Sequence, residues 1–194
     1  MTEGPAEPPR HARPARSGAA QPVPQPIPGA AIPEHRLIRV VLAGEPPTRL
    51  SPLQEADRAQ AVTDLAAENR FAPIPPAGAR QPAPAGPFVL HLAVQDGKLA
   101  FDIRGPDDAP LAGVGLALGP FRALMKDYDL VVESYAKAMA EGREARIQAI
   151  DMGRRGLHDE GARLLMARLA GKIAIDFATA RRLFTLLCVL HRRA

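Results

Sequence analysis

The chain has 194 residues, of which 46% are hydrophobic and 24% are charged, so it can bury one ordinary core and has little room for two domains. Its single cysteine excludes an intrachain disulfide and a multi-cysteine metal site, and no apolar run approaches the length that spans a bilayer. The net charge of +4 is unevenly distributed, because residues 142–194 carry 11 Lys and Arg against 5 Asp and Glu, whereas residues 30–141 carry 11 against 14. Such asymmetry is typical of a protein with an anionic partner, although a solvated helical face has the same composition.

The first segment, residues 1–33, is rich in Pro, Ala, Gly and Arg and has almost no large apolar side chains. Because it cannot bury enough surface to offset the cost of ordering its backbone, it is predicted to be a disordered tail. Residues 34–194 are predicted to form a single domain. The N-terminus also lacks the apolar run of a secretory signal, so the expected location is the cytoplasm, without membrane association.

Residues 1–33 are therefore expected to be dispensable for folding. Deleting them should leave the melting temperature within a few degrees of the full-length value, because no side chain of the core is lost. Thermal unfolding of the two forms measures this directly, and a larger fall in melting temperature would reject the prediction.

Residues 36–42 predict the first strand, because the segment is short, rich in β-branched side chains and followed by turn residues at 44–47. A helix is predicted over 51–68, since its first four residues are Ser-Pro-Leu-Gln. The serine serves as N-cap, the proline takes the first helical position and the glutamine completes a capping box. Asn69 is expected to cap the end of this helix, and residues 72–87 to form a proline-rich loop.

The clearest strand pair is a hairpin over residues 88–104, in which two alternating runs flank Asp96-Gly97. Asp-Gly is a strong signal for a two-residue hairpin loop, and that loop sets the register of the two strands. In this register His91 faces Asp102 on the polar side. The pair has the composition of a base and its orienting group, but the sequence places no Ser or Cys beside it, so a cross-strand surface pair is favoured.

Residues 113–118 predict a further strand, and residues 121–141 predict a long helix with apolar side chains at helical spacing. The order strand, helix, three strands, then helices predicts an α+β domain. Its sheet should be small and mostly antiparallel, built from the hairpin and flanking strands, with a C-terminal set of helices packed on one face. The edge occupied by the first strand is not determined at this stage.

Residues 151–161 contain three glycines and predict a junction between two helices, with the break at Gly156. Arg154 and Arg155 would then lie in the last turn of the first helix, where the helix dipole favours cations. The acidic residues 159–160 would open the second helix, where the dipole favours anions. Local capping of this kind explains all of these charges without a ligand.

The last helix is predicted to begin after Asp176, which serves as its N-cap. An apolar stripe that starts at Phe177 makes it a core helix, and Cys188 belongs to the same apolar periodicity. Arg181 and Arg182 lie on or beside its polar face.

Two arginine pairs, Arg154-Arg155 and Arg181-Arg182, lie on elements that should be neighbours in a small core. They are candidates for a shared anion site, and His158 could add a charge that depends on pH near neutrality. Acidic side chains of the same stretch could instead neutralise the arginines. Guanidinium groups that converge on an open cleft would favour the anion site, whereas arginines that point apart, or that are each paired with an acid, would contradict it and favour an interaction module.

The sequence has no phosphate-cradling Gly-rich loop, dinucleotide fingerprint, paired-histidine zinc helix or nucleophile elbow. An enzyme is therefore not favoured, and no catalytic residue, metal site or cofactor is predicted. Two classes remain, namely a binding module for nucleic acid or a phosphorylated ligand, and a protein-interaction or dimerisation module that could form a homo-oligomer. A helix-turn-helix over residues 159–191 is disfavoured, because the connection at 171–175 is long for that turn and contains two isoleucines.

Several segments of the chain carry a family resemblance. They are Phe101–Arg104, Pro120–Arg122, Lys126–Tyr128, Gln148–Gly161, Leu164–Met166, Gly171–Ile173 and Asp176–Leu186. Together they resemble uncharacterised protein family 0262, a set of small bacterial proteins, over most of residues 36–191. The proline-rich tail and the segment Pro73–Pro87 lie outside that pattern. The resemblance implies no activity, substrate or cofactor.

Overall fold

The structure is a computed structural model that describes Met1 and residues 35–43, 50–79 and 82–191. The predictions of a tail at 1–33 and of a turn at 44–47 lie outside these residues. In chain order the elements are β1 (Leu37–Leu42), α1 (Pro52–Ala67), β2 (Phe71–Pro73), β3 (Phe88–Gln95), β4 (Lys98–Arg104), β5 (Pro110–Ala117), a 3-10 turn (Gly119–Phe121), α2 (Arg122–Ala140), α3 (Glu144–Leu169), β6 (Ile173–Ile175) and α4 (Phe177–His191).

The main sheet has the strand order β1-β3-β4-β5. Strands β3, β4 and β5 pair antiparallel, whereas β1 pairs parallel with β3, so the sheet is mixed and β1 takes the edge beside β3. The predicted α+β class is confirmed. The hairpin register is also as predicted, with Gln95 opposite Lys98 and His91 opposite Asp102, because a two-residue loop leaves only one way to pair the strands.

A second sheet, formed by β2 and β6, was not predicted. Phe71 pairs with Ile175 and Pro73 with Ile173, across about a hundred residues of chain, and each strand has three residues. Such short strands carry no readable alternation, and their pairing depends on the tertiary structure. The strand β6 lies within residues 171–175, the connection whose length argues against a helix-turn-helix.

Helix α1 begins as its sequence predicts. Ser51 accepts a hydrogen bond from the backbone N–H of Gln54, and the Gln54 side chain accepts one from the Ser51 backbone N–H, which completes the capping box. At the other end the buried amide of Asn69 donates to the backbone carbonyls of Leu65 and Leu37, and its oxygen accepts from the Leu37 N–H. Asn69 therefore does more than cap α1, since it fastens the end of this helix to β1.

Helix α3 is one continuous helix of 26 residues, so the predicted junction at Gly156 is wrong. Arg154 and Arg155 lie in its middle, and Asp159 does not open a second helix. Glycine costs a helix about 1 kcal/mol relative to alanine, which packing of the same helix against α2 and α4 can outweigh. Gly161 in particular lies so close to the Phe184 ring that a Cβ there would be 2.4 Å from it.

Helix α4 has the predicted N-cap, because Asp176 Oδ1 accepts a hydrogen bond of 2.8 Å from the Thr179 backbone N–H. Its apolar stripe is buried, and Cys188 lies in the core, as expected. Phe177 is the exception: predicted to be buried, it is 39% exposed, and the Arg163 guanidinium carbon lies 5.6 Å from its ring centre. Phe177 is the first residue of α4 and lines a cleft, which leaves its ring partly exposed.

Helix α2 matches the predicted long helix to within one residue at each end. It buries Leu124, Met125, Tyr128 and Val132 against the common core. Of the helices in the described ranges, none combines the length and the apolarity that a membrane crossing requires.

Candidate functional site

A cleft in the described chain lies around α4, which packs against α1 and against α3. Its volume is about 760 Å³. Each helix contributes one stripe of side chains at helical spacing: Asp57 and Asp64 from α1, residues 154–159 from α3, and residues 177–185 from α4. The cleft is therefore built from three helix faces that are far apart in the sequence.

Arg154 lines the cleft and contacts two carboxylates. Its Nη1 lies 2.5 Å from Asp57 Oδ1 and its Nη2 lies 2.7 Å from Asp151 Oδ1, so one guanidinium links α1 to α3. The other oxygen of Asp57 accepts a hydrogen bond of 3.1 Å from the fully buried Tyr128. Asp57 thus ties α1 to both α2 and α3.

The pKa values of this cluster follow from its contacts. Burial disfavours the charged form of Arg154, but the hydrogen bond with Asp151 and the charge of Asp57 outweigh it, and the pKa of Arg154 rises. The hydrogen bond from Arg154 lowers the pKa of Asp151. Burial, reinforced by the Asp57 charge, raises the pKa of Tyr128 above its usual range. At neutral pH the cluster therefore holds a charged arginine, a charged Asp151 and a neutral phenol.

The other three arginines of the cleft are held more loosely. Arg155 Nη2 lies 2.9 Å from Asp151 Oδ2, and Arg181 Nε lies 2.9 Å from Asp159 Oδ1. Arg182 Nη1 donates to the backbone carbonyl of Glu68, and its Nε lies 3.7 Å from Asp64. Their side chains are 70%, 40% and 22% exposed, in that order, so two of the three are well exposed to solvent.

His158 is buried at the wall of the cleft, with 5% of its surface exposed. Its ring packs against Tyr128, at 5.6 Å between ring centres, and against Phe184, at 6.0 Å. Burial lowers the pKa of His158 to about 4. The expectation that His158 carries a pH-dependent charge near neutrality is therefore wrong, because an imidazole out of water favours its neutral form.

The five candidate residues, Arg154, Arg155, His158, Arg181 and Arg182, all line this one cleft. The arginines converge on the cleft, which favours the anion site. Each of them also lies within 4 Å of a carboxylate, which is the outcome expected for an interaction module. Four aspartates balance the four arginines, so the cluster is close to neutral.

The partners Asp57, Asp64 and Tyr128 were not identified from the sequence. The only available signal was the i, i+7 spacing of the two aspartates on α1, which places them on one helix face. Nothing local indicated that this face meets α3.

The polar side of the hairpin forms a separate ion-pair cluster. His91 Nε2 contacts Asp108 Oδ1 at 2.9 Å, while Asp102 accepts two hydrogen bonds from Arg104, at 2.7 and 2.9 Å. His91 is therefore paired with Asp108 and not with the Asp102 that faces it in the register. The hydrogen bond from His91 lowers the pKa of Asp108. This cluster fastens the 105–109 turn to the sheet.

Comparison with known proteins gives a consistent family assignment. The model of the Uncharacterised protein family (UPF0262) matches residues 34–193. A UPF0262 protein of Granulibacter bethesdensis is 63% identical over 172 residues, which cover 87% of this chain and 95% of that protein. A UPF0262 protein of Acidiphilium cryptum is 60% identical over 166 residues, 86% of this chain and 98% of that protein.

A UPF0262 protein of Nitrobacter winogradskyi is 47% identical over 157 residues, which cover 81% of this chain and 90% of that protein. No solved structure matches the chain. The family model covers every described residue except Met1. The chain belongs to the Uncharacterised protein family UPF0262.

Proposed function

We propose that the cleft between α1, α3 and α4 binds a small phosphorylated ligand, and that the protein acts as a binding module. The supporting observation is that Arg155, Arg181 and Arg182 line one cavity. Most of their guanidinium N–H groups make no contact with a carboxylate or a carbonyl group of the described residues. Each guanidinium has five N–H groups. In the described residues, Arg155 and Arg181 each make one carboxylate contact, and Arg182 makes one long contact and one bond to a backbone carbonyl.

Arg154 has a different role in this proposal. Both of its terminal nitrogens are engaged, one by Asp57 and one by Asp151. It is also less exposed than Arg155 and Arg181, at 21% against 70% and 40%, whereas Arg182, at 22%, differs from it only in its contacts. We therefore assign Arg154 to holding the cleft together, and ligand binding to the three looser arginines.

The balance of charge favours a small ligand over nucleic acid. Nucleic-acid binding depends on several cations that neutralise successive phosphates. Here the carboxylates of Asp57, Asp64, Asp151 and Asp159 offset the arginines, which leaves little long-range attraction for a polyanion. A single phosphate group can still displace a weakly held carboxylate from an arginine and accept two hydrogen bonds from its guanidinium group. The cavity volume of about 760 Å³ lies in the range of small-molecule sites.

The alternative is a protein-interaction or dimerisation module. It would use an exposed apolar surface, and Leu130 and Met139 of α2 are 52% and 53% exposed. They are nine residues apart, however, which places them on opposite sides of that helix. The alternative therefore has less support than the cleft. A cytoplasmic location remains the expectation for either role, and cell fractionation tests it.

The test is a titration of the full-length protein with methyl phosphate, followed by amide chemical shifts. We expect saturable binding, and a loss of affinity of about tenfold or more in the variant Arg181→Ala/Arg182→Ala, because hydrogen bonds to charged groups contribute about 1.5–3 kcal/mol each. The control is Arg168→Ala, which removes an exposed arginine of α3 that does not line the cleft.

Three results would contradict the proposal. One is the absence of saturable binding by the wild type. Another is equal affinity of the wild type and the double variant. The third is tight binding of a single-stranded RNA that weakens steeply between two salt concentrations, which would favour a nucleic-acid module.

A further inference from the structure

Nε2 of His158 is a buried polar atom that makes no hydrogen bond to any residue in the described ranges. The side chain lies on the wall of the cleft and is 5% exposed. Leaving such an atom without a partner is unfavourable, because it has lost its hydrogen bonds to water and gained none in return. Tyr128 and Phe184 pack against the ring and hold it in place, so it has little freedom to turn toward water.

The imidazole of His158 is neutral at the pH of the cell. Burial is the main reason that its pKa falls to about 4, and the charges of Arg154 and Arg181 lower it further, against the opposing effect of Asp57 and Asp159. A neutral imidazole has one nitrogen that donates and one that accepts a hydrogen bond. His158 is therefore suited to a neutral polar group and not to an anion.

The position of His158 relates it to the proposed phosphate site. It lies three residues after Arg155 on α3, which is one helical turn or about 5 Å along the axis. The hydroxyl of Thr185, also in the cleft, already donates to the backbone carbonyl of Arg181. A ligand whose phosphate contacts the arginines would thus occupy the cleft that the His158 side chain lines, one turn away along α3.

We propose that Nε2 of His158 forms a hydrogen bond with a hydroxyl group of the ligand, so that the cleft prefers phosphorylated polyols to phosphate esters without a hydroxyl. A hydroxyl both donates and accepts, so it suits either tautomer of the ring. The hydroxyl group of the ligand gives the unpartnered nitrogen a hydrogen bond, which an analogue without the hydroxyl group does not supply. This inference rests on the proposed function and specifies the ligand class of the same cleft.

The experiment compares two probes, propyl phosphate and glycerol 3-phosphate, which share the phosphate and a three-carbon chain and differ in two hydroxyl groups. The wild type should bind glycerol 3-phosphate about tenfold more tightly, as expected for one recovered hydrogen bond. In the variant His158→Phe, which keeps an aromatic ring between Tyr128 and Phe184, this ratio should fall to about one. The affinity for propyl phosphate should change less than the affinity for glycerol 3-phosphate.

Because His158 stays neutral well below pH 7, the ratio of the two affinities should also be the same at pH 6 and pH 8. If His158→Phe does not fold, the ring nitrogens of the wild type provide the second readout. The ¹⁵N shift of Nε2 should move with glycerol 3-phosphate and not with propyl phosphate.

The outcomes separate this inference from the proposed function. Equal affinity of the wild type for the two probes would overturn the hydroxyl contact and leave phosphate binding intact. A preference that persists in His158→Phe, or an Nε2 shift that responds equally to both probes, would also overturn it. Failure of both probes to bind would instead overturn the proposed function, and this inference with it.

Discussion

Replacing Gly161 with alanine should lower the free energy of unfolding by about 2 kcal/mol. The added Cβ would lie 2.4 Å from three atoms of the Phe184 ring, and that ring is fully buried. Overpacking of this kind costs about 1–3 kcal/mol, of which the better helix propensity of alanine offsets about 1 kcal/mol. Since the contact is very short, we expect the upper part of the range. Urea unfolding of the variant measures the change.

Gly156→Ala is the matched control, because it makes the same change in the same helix. A Cβ at Gly156 meets no atom within 4 Å, and the residue is exposed. This variant should gain up to about 1 kcal/mol from helix propensity alone. The double variant Gly161→Ala/Phe184→Leu should recover part of the loss, since it removes the atoms that clash. If Gly161→Ala were as stable as Gly156→Ala, the close packing of α3 on α4 would be wrong.

Replacing Asp57 with alanine should lower the free energy of unfolding by about 2–4 kcal/mol. The change leaves the buried Tyr128 hydroxyl without its acceptor and removes one of the two carboxylates of Arg154. Breaking a buried ion pair costs about 3–5 kcal/mol, and we expect less here because Asp57 keeps 13% and Arg154 keeps 21% of their side-chain exposure. The double-variant cycle with Tyr128→Phe should show coupling, because both changes remove the same hydrogen bond.

Asp64→Ala provides the comparison on the same helix. Its carboxylate is 37% exposed and lies 3.7 Å from Arg182, so its removal should cost less than about 1 kcal/mol. Equal effects of Asp57→Ala and Asp64→Ala on stability would show that Asp57 does not link α1 to α2 and α3.

Local signals account for the parts of the fold that the sequence predicted. The Asp96-Gly97 loop and the alternation around it set the hairpin register, and the residues 51–54 set the start of α1. Asp176 does the same for α4. In each case the residues that decide the structure are neighbours in the chain, so their preferences can be read without knowledge of the fold.

The prediction failed where a local preference opposed a distant contact. Three glycines favoured a break near Gly156, but the packing of α3 against its neighbours outweighs their cost and keeps the helix continuous. The short strands β2 and β6 pair Phe71 with Ile175, and Phe71 and Ile173 are both buried, which no alternation in either segment indicates.

The candidate site, too, could be predicted only in part from the sequence. Its five residues could be named from the sequence, because paired arginines and a histidine near glycines are visible in a single stretch of chain. The partner of Arg154 on α1 could not be named from the sequence, since Asp57 lies 97 residues away. It meets Arg154 only because α1 packs beside α4. The neutrality of His158 could not be predicted either, because it follows from burial beside Tyr128 and Phe184.

The sequence by itself therefore determined the α+β class, the hairpin register, the N-caps of α1 and α4 and the arginines of the cleft, because each follows from residues that interact locally. Only the tertiary structure decided the parallel edge position of β1, the continuity of α3, the pairing of Arg154 with Asp57 and the burial of His158. These depend on the free energy of packing between distant segments, which exceeds the small local preferences that a sequence pattern reveals.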